Sequence, residues 1–542
     1  MNKNGRIDNI LGNVALTKSY ILNSNNVKNI VLVSGTEMER VFWMNRFKAS
    51  SKLLFNKNNS TNIFSFEEKI GNKCRQGNFL GTLLAYNFFK KEAVRNGIKY
   101  EDTTAIFGMI FGSGKRLSPF TQILRNCKPS ISAACGTMEI EESLMYIAPL
   151  VKYLEKGGFK GVLDKWGDET QIASVSLDIT KLSGCEFQDF DIIKFVEKSE
   201  VNEHKAMYYD WVVCDGDDNL AAMVSRVPGS VADRGGCAGV LRNERDRVLA
   251  DVRGGSFGVS LGPVAVSYRL LEVFCEVFHD EILKEGIILD FDPYLLMALT
   301  FKGNKKEWEK VSRDCSVPGL FEKAENVKKI YTEKYGKEPA IKVFDLGKDI
   351  FWMDMGNHTN MRKKYMLLNE NTPEGDIARS IEGIGSQRDD RGNIIINSFI
   401  FDGTYLEGSI VIDSKVTGSG KIKNSVIKNS SFKDVDFNGA FAIDSHRSGH
   451  TELAEGAGLY FSFGGNSDDL VLEEGMRQGT LLTENGPVDM MVSEKIDLKD
   501  KNNYEKKILN NTISFKEASF LMENVDDEIM KMRIKKFKER NQ

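Results

Sequence analysis

Gly112, Ser113, Gly114, Lys115 and Arg116, with Lys128 further along the chain, suit one kind of chemistry: holding a polyphosphate. Two glycines flanking a serine let the backbone turn sharply, so that phosphate oxygens meet bare amides. Lys115, Arg116 and Lys128 add three cations, and the loop can neutralise a triphosphate through fixed N–H groups and mobile side chains together. The plain alternative is a glycine-rich turn with surface cations. A Walker loop is excluded, because Met109 and Arg116 stand where it needs Gly and Ser or Thr. A dinucleotide fingerprint is excluded by Leu117 at its third glycine position. Two carboxylates complete the set. Asp168 follows Gly167 directly after the apolar run 161–166, and Asp354 ends the aromatic run Phe351-Trp-Met just before Gly356. An Asp at a strand end in an open α/β sheet faces the crevice where ligands bind. Asp215-Gly-Asp217-Asp218 also clusters carboxylates, but between two apolar runs it reads as a turn tip.

These residues need elements to position them. The run Ala105–Phe111 predicts a buried strand leading into the cationic loop, and 27–35 predicts a core strand followed by a helix over Glu37–Lys48. Gly77–Ala93 predicts an apolar helix, and Glu141–Lys156 an amphipathic one ended by Gly157-Gly158. Strands are expected at 161–166 and 191–196, with a strand pair around Asp215–Asn219. The stretch Ser256–Pro263 is expected to introduce a long helix to about Glu281. Lys302–Lys337 reads as charged, solvated helix. From Arg391 to Phe437 the texture changes to β-branched steps among Gly, Ser and Asn. Apolar residues there recur six apart at Ile400, Leu406 and Ile412, at Val416 and Ile422, and at Val426 and Phe432. That period is the mark of stacked parallel coils, with an ordinary antiparallel sheet as the alternative.

The string Gly112-Ser-Gly114-Lys-Arg116-Leu-Ser-Pro119-Phe-Thr121, followed by Lys128-Pro129, resembles the signature of the sugar-1-phosphate nucleotidyltransferases, G-x-G-T-R-L-x-P-L-T and then K-P. Lys115 replaces the family's Thr or Ser, and Lys128 comes about two residues late. Gly167-Asp168 resembles the family's G-D pair, and Trp352-Met-Asp354-Met-Gly356 its W-x-D-x-G-T. Gly81-Thr82-Leu-Leu-Ala85 is similar to the G-T-A-x-A-L segment that approaches base and sugar. It precedes the phosphate loop here instead of following it, which implies a rearranged order of core elements and accounts for the short Arg116-to-Asp168 interval. Trp211–Arg226 resembles the strand, acidic turn and strand that end in a Glu-Lys pair for the sugar phosphate, with Ser225-Arg226 in that place. Ser256-Phe-Gly258 resembles the strand lining the sugar pocket.

The resemblance spans about 106–372. It implies an α/β fold: a Rossmann-like, GT-A-like mixed sheet flanked by helices, then a short C-terminal segment like a left-handed β-helix. The expected domains are 1–105, joined to the catalytic sheet, 106–375 as the catalytic domain, 390–440 as the β-helix-like domain, and 441–542 as strands and charged helices. It further implies Mg²⁺-dependent joining of a nucleoside triphosphate and a sugar 1-phosphate, giving an NDP-sugar and pyrophosphate. Arg116 and Lys128 would act on the phosphates at the reacting centre, with Gly112, Ser113, Gly114, Lys115, Gly81 and Thr82 on the nucleotide. Arg226, Ser256 and Gly258 would meet the sugar phosphate, and Asp168 and Asp354 the metal. Homo-oligomerisation through the C-terminal domain is also implied. Two rivals stand beside this reading: a non-catalytic sugar-phosphate- or nucleotide-binding regulatory subunit, and an acyltransferase, for which the coils are too few.

Composition bounds the rest. The 542 residues suffice for two or three domains, and a formal charge of −4 leaves no electrostatic footprint for nucleic acid. The eight cysteines form no Cys-x-x-Cys pair, so zinc and a disulfide framework are not expected. No stretch reaches 18 uninterrupted apolar residues and the first residues lack a signal-like run, so a cytoplasmic protein away from membranes is expected. The five histidines stand apart from the candidate loops except His358, which reads as a turn residue.

Overall fold

The structure is a computed structural model. It describes all residues except 1–2, 23–26, 55–60, 71–72, 75–76, 111–113, 125–136, 228–235, 313–314, 316, 465–468, 524 and 541–542. The fold is mixed α/β. Two compact units interleave along the chain: Met1–Ile110, Ser143–Gly167 and Gln171–Phe351 form the first, and Phe111–Glu142, Asp168–Thr170 and Trp352–Gln542 the second. This division cuts across the boundary expected at 105/106. Strands on both sides of it share one sheet, whereas the segment after Ile110 belongs with the C-terminal half of the chain.

The first unit is built on a sheet of β1 (Asn29–Ser34), β2 (Asn62–Glu67), β3 (Thr104–Met109), β4 (Gly161–Trp166), β5 (Ile192–Lys198), β6 (Trp211–Cys214), β7 (Leu220–Val224), β8 (Ser256–Ser267) and β9 (Ile341–Asp345). Its order is β7-β6-β8-β4-β3-β1-β2, with β5 also beside β8 and β9 beside β5. Strands β2, β1, β3 and β4 are mutually parallel, and every residue of β1 and β3 is buried. Burial on both faces is why these strands read as unbroken apolar runs. Helices Glu37–Leu54 and Gly77–Arg95 provide the crossovers from β1 to β2 and from β2 to β3. The strand at 29–34 is therefore a neighbour of Thr104–Met109. Asp215 and its neighbours form the tip between antiparallel β6 and β7, where Asp215 Oδ1 accepts from the amides of Asp217 and Asn219, each at 2.9 Å.

One element differs from expectation. The helix predicted from Pro263 to about Glu281 is shorter, because Ser256–Ser267 is a 12-residue strand and the helix is Tyr268–Val277, capped by Ser267 Oγ accepting from Leu270 N. Pro263 is tolerated because the β5–β8 register shifts between Ser260 and Val264, so no ladder donor is required of it.

In the second unit the chain from Ile394 onward visits three sheets in turn, of seven, four and five strands, parallel except for the antiparallel last pair of the seven-stranded one. Ile394 pairs with Ile410, Ile410 with Val426, and Val426 with Phe441. The inward residues Leu406, Val411, Val416, Ile422, Ile427, Phe432 and Phe437 form one core. Their spacing is five or six, so Val411 and Ile427 point inward where a strict period of six had placed Ile412 and Val426. Corners are turned by Asn397, Asp413, Asn429 and Asp444 in left-handed conformation, with φ between 44° and 50°. These are residue types that tolerate it, and Asn397 donates to Asp413 and Asn429 to Asp444 across successive turns. A serine ladder runs inside: the hydroxyls of Ser398, Ser414, Ser430 and Ser445 accept from the amides of Ser414, Ser430, Ser445 and Ser462. The stack continues past the end expected at residue 440 to Leu470–Leu472. Its later inward positions are Ala442, Leu453 and Leu459 among further alanines, a weaker sequence signal. The hairpin Met476–Thr483 and Gly486–Ser493 closes it.

Gly420 carries φ of 137°, and a Cβ there would lie 1.8 Å from Val435 O. Gly420→Ala is expected to lower unfolding free energy by about 3 kcal/mol in urea titration, through backbone strain and overlap together. A change under about 0.5 kcal/mol, the usual size for a neutral surface site, would contradict this packing.

Candidate functional site

Gly114 has φ 54°, the left-handed turn that starts the short helical segment Lys115–Leu117. Leu117 and Phe120 are buried anchors, while Lys115 and Arg116 are exposed. Phe120 packs 5.1 Å from the Tyr460 ring and 5.2 Å from the His358 ring, and the space beside Gly479 is filled by Ile123 and Phe120. The segment Phe120–Ile123 thus rests on the seven-stranded sheet. Lys115 Nζ sits 4.9 Å above the Tyr504 ring. Gly112, Ser113 and Lys128 lie outside the described residues.

Strands Glu169–Ile172 and Phe351–Asp354 pair as a two-stranded ribbon, of which Glu169, Thr170 and Trp352–Asp354 fall in the second unit. At its end Met355 N donates to Asp168 O at 2.9 Å, which joins the main chains carrying Asp168 and Asp354. Asp354 Oδ2 accepts from Asn360 Nδ2 at 3.2 Å, and Asn357 caps the helix His358–Leu367. A Cβ on Gly356 would lie 2.8 Å from both Asp354 carboxylate oxygens and 3.1 Å from Arg116 Nη2. Glycine at 356 is what lets guanidinium and carboxylate converge there.

Beneath this turn is a buried ion cluster that sequence reading missed. Lys364 Nζ donates to Glu139 and, at 2.8 Å, to Glu142, and Thr170 Oγ1 donates to Glu139 at 3.1 Å. Burial pushes the Glu139 carboxyl up against the pull of Lys364. Burial also works against the charge on Lys364, but Glu139 and Glu142 outweigh it and hold the ammonium above its ordinary value. The cluster ties the residue two after Asp168 to the helix that follows Asp354. A Lys and two Glu so far apart in sequence carry no local pattern that would have marked them.

Among the described residues no group of three or more His, Cys, Asp or Glu is placed to hold a metal. A magnesium ion is commonly held by only one or two protein carboxylates, with water and phosphate oxygens as its other ligands.

The remaining expected site residues lie in the first unit. Thr82 is fully buried and donates to Asp164 Oδ2 at 3.0 Å, and Gly81 faces Glu68. Burial drives the Asp164 carboxyl well up, with Asp290 adding to it and Thr82 opposing. Lys194 and Ser260 both donate to Asp292 Oδ2, at 2.6 and 2.5 Å. Arg226 N donates to Asp210 Oδ1 at 3.0 Å and its Nη1 to Tyr208 O. Ser256 Oγ lies 2.8 Å from Cys214 Sγ. Gly258 pairs with Lys198 and Val259 with Glu197. Glu197 and Lys198 thus stand at the end of β5 beside Gly258, and Lys198 Nζ donates to Asp218 Oδ1 at 3.3 Å. Residues Glu197 and Lys198 were legible as a strand-end pair but passed over. Among the described residues, no helix is long and apolar enough to cross a membrane. No protein-family model and no curated protein matches this chain.

Proposed function

We propose that this protein transfers a nucleotidyl group from a nucleoside triphosphate to a sugar 1-phosphate, releasing pyrophosphate. The observation that carries the reading is the convergence of Arg116 and Asp354 around Gly356, with the Asp168 main chain bonded to the residue between them. In the proposed reaction a sugar-phosphate oxygen attacks the α-phosphorus, its bond to the bridging oxygen breaks, and pyrophosphate leaves. Such chemistry asks the protein for position and charge neutralisation, not a nucleophile. Arg116 and the loop amides would hold the triphosphate. Asp168 and Asp354 would hold Mg²⁺, which when bound supplies charge neutralisation between the two substrates. The proposed enzyme would have a GT-A-like sheet whose outer strands precede its phosphate-loop strand, followed by a β-helix. An oligomer formed through that C-terminal domain is part of the same proposal.

Four nucleoside triphosphates against several sugar 1-phosphates, read by pyrophosphate release, test it. Release is expected for at least one pair, only with Mg²⁺ and only with both substrates present. Nucleotide binding without turnover across the panel would transfer the assignment to a regulatory subunit.

A further inference from the structure

We infer that His358 is a positioning residue of this site, the donor that fixes the phosphate-loop main chain at Ser118 to the turn bearing Asp354. The inference rests on the proposed function. His358 is 4 % exposed, and its Nε2 lies 2.8 Å from Ser118 O. A carbonyl only accepts, so Nε2 carries the proton. Nδ1 has no hydrogen-bond partner among the described residues. The ring is held edge-on by Phe120 at 5.2 Å. The charged group facing it is Arg477, itself buried and paired with Glu494 at 2.7 Å. Burial, and then Arg477, lower the imidazole pKa to about 3, so the ring keeps one N–H at neutral pH. Ser118 is two residues after Arg116, and His358 is two after Gly356. One hydrogen bond thus sets the separation of the two turns whose side chains converge at Gly356. Burying an imidazole with one bare nitrogen is unfavourable, and the site retains it although an apolar side chain would fill the same space.

The test uses the full chain and inorganic tripolyphosphate with Mg²⁺, a probe that does not depend on the unknown base. Titration calorimetry compares wild type, Arg116→Gln, His358→Leu and His358→Gln. Binding is expected to weaken about tenfold in His358→Leu, with the melting temperature within a few degrees, and to recover to within about threefold in His358→Gln, which retains a side-chain N–H. If His358→Leu binds like wild type while Arg116→Gln is weakened, the positioning role is overturned and the phosphate-loop reading stands. Should wild type fail to bind, or Arg116→Gln bind equally well, both are overturned. If His358→Leu does not fold, nitrogen-15 NMR of the wild-type ring decides. A neutral Nε2–H tautomer from pH 8 to pH 5 supports the bond, and titration near the ordinary histidine value of about 6.5 overturns it.

Discussion

Asp354→Asn is expected to lower kcat about a hundredfold or more while leaving the melting temperature within a few degrees, the usual cost of deleting a preorganised electrostatic group. The substitution retains the side-chain shape at the end of the ribbon and removes the charge that faces Arg116 across Gly356. Asn360 Nδ2, which donates to Asp354, can still donate to an amide oxygen, so local folding is preserved. Asp168→Asn should act in the same direction. Asp217→Asn is the internal control. Asp217 is exposed at the β6–β7 tip, and the turn is held by Asp215, so activity should stay within about threefold. Steady-state kinetics on the reacting pair check all three. An essential Asp217 beside a dispensable Asp354 would move the metal to the other acidic turn.

Lys364→Met should be the most destabilising single change at the site. It removes the ammonium that the buried Glu139 and Glu142 share, and breaking a buried pair from one side costs about 3–5 kcal/mol. The pH dependence has a definite sign. The Lys364 pKa is raised in the folded state, so its stabilisation is complete below the unfolded value of about 10.4 and is lost only as pH rises through the folded value. The Glu139 pKa is raised as well, so its ionised form opposes folding above its unfolded value of about 4.3. Without the ammonium this opposition grows, and it disappears as the carboxyl takes up a proton. Urea unfolding should therefore show the deficit shrinking from pH 7.5 to pH 5. A deficit of equal size at both values would mean that packing, not charge, holds the cluster.

What could be read from the sequence follows physical range. The core strands 29–34 and 104–109 were legible because strands buried on both faces are unbroken apolar runs. The ends of the ribbon at Asp168 and Asp354 were legible because a strand, an Asp and a Gly fall within a few residues. The coils from Ile394 were legible as a repeat, but their spacing of five or six was read as six, so Ile412 and Val426 stood in for Val411 and Ile427. The helix expected after Ser256–Pro263 begins later because the strand runs on through Pro263 to Ser267, which the shifted register with β5 permits. Nothing local announces that Lys364 meets Glu139, that His358 meets Ser118, or that Thr82 meets Asp164. Each is a single contact between residues far apart in the chain, and side-chain periodicity carries no information about it.

The central claim is transfer of a nucleotidyl group to a sugar phosphate, and label transfer tests it most directly. Nucleoside triphosphate labelled with phosphorus-32 at the α-position is incubated with the protein, Mg²⁺ and the sugar 1-phosphate, and the products are separated. The account predicts label in a new nucleotide diphospho-sugar, none bound to the protein, and no product from Asp354→Asn. Label remaining in the triphosphate while the nucleotide is demonstrably bound, across every base and sugar phosphate tried, would contradict it.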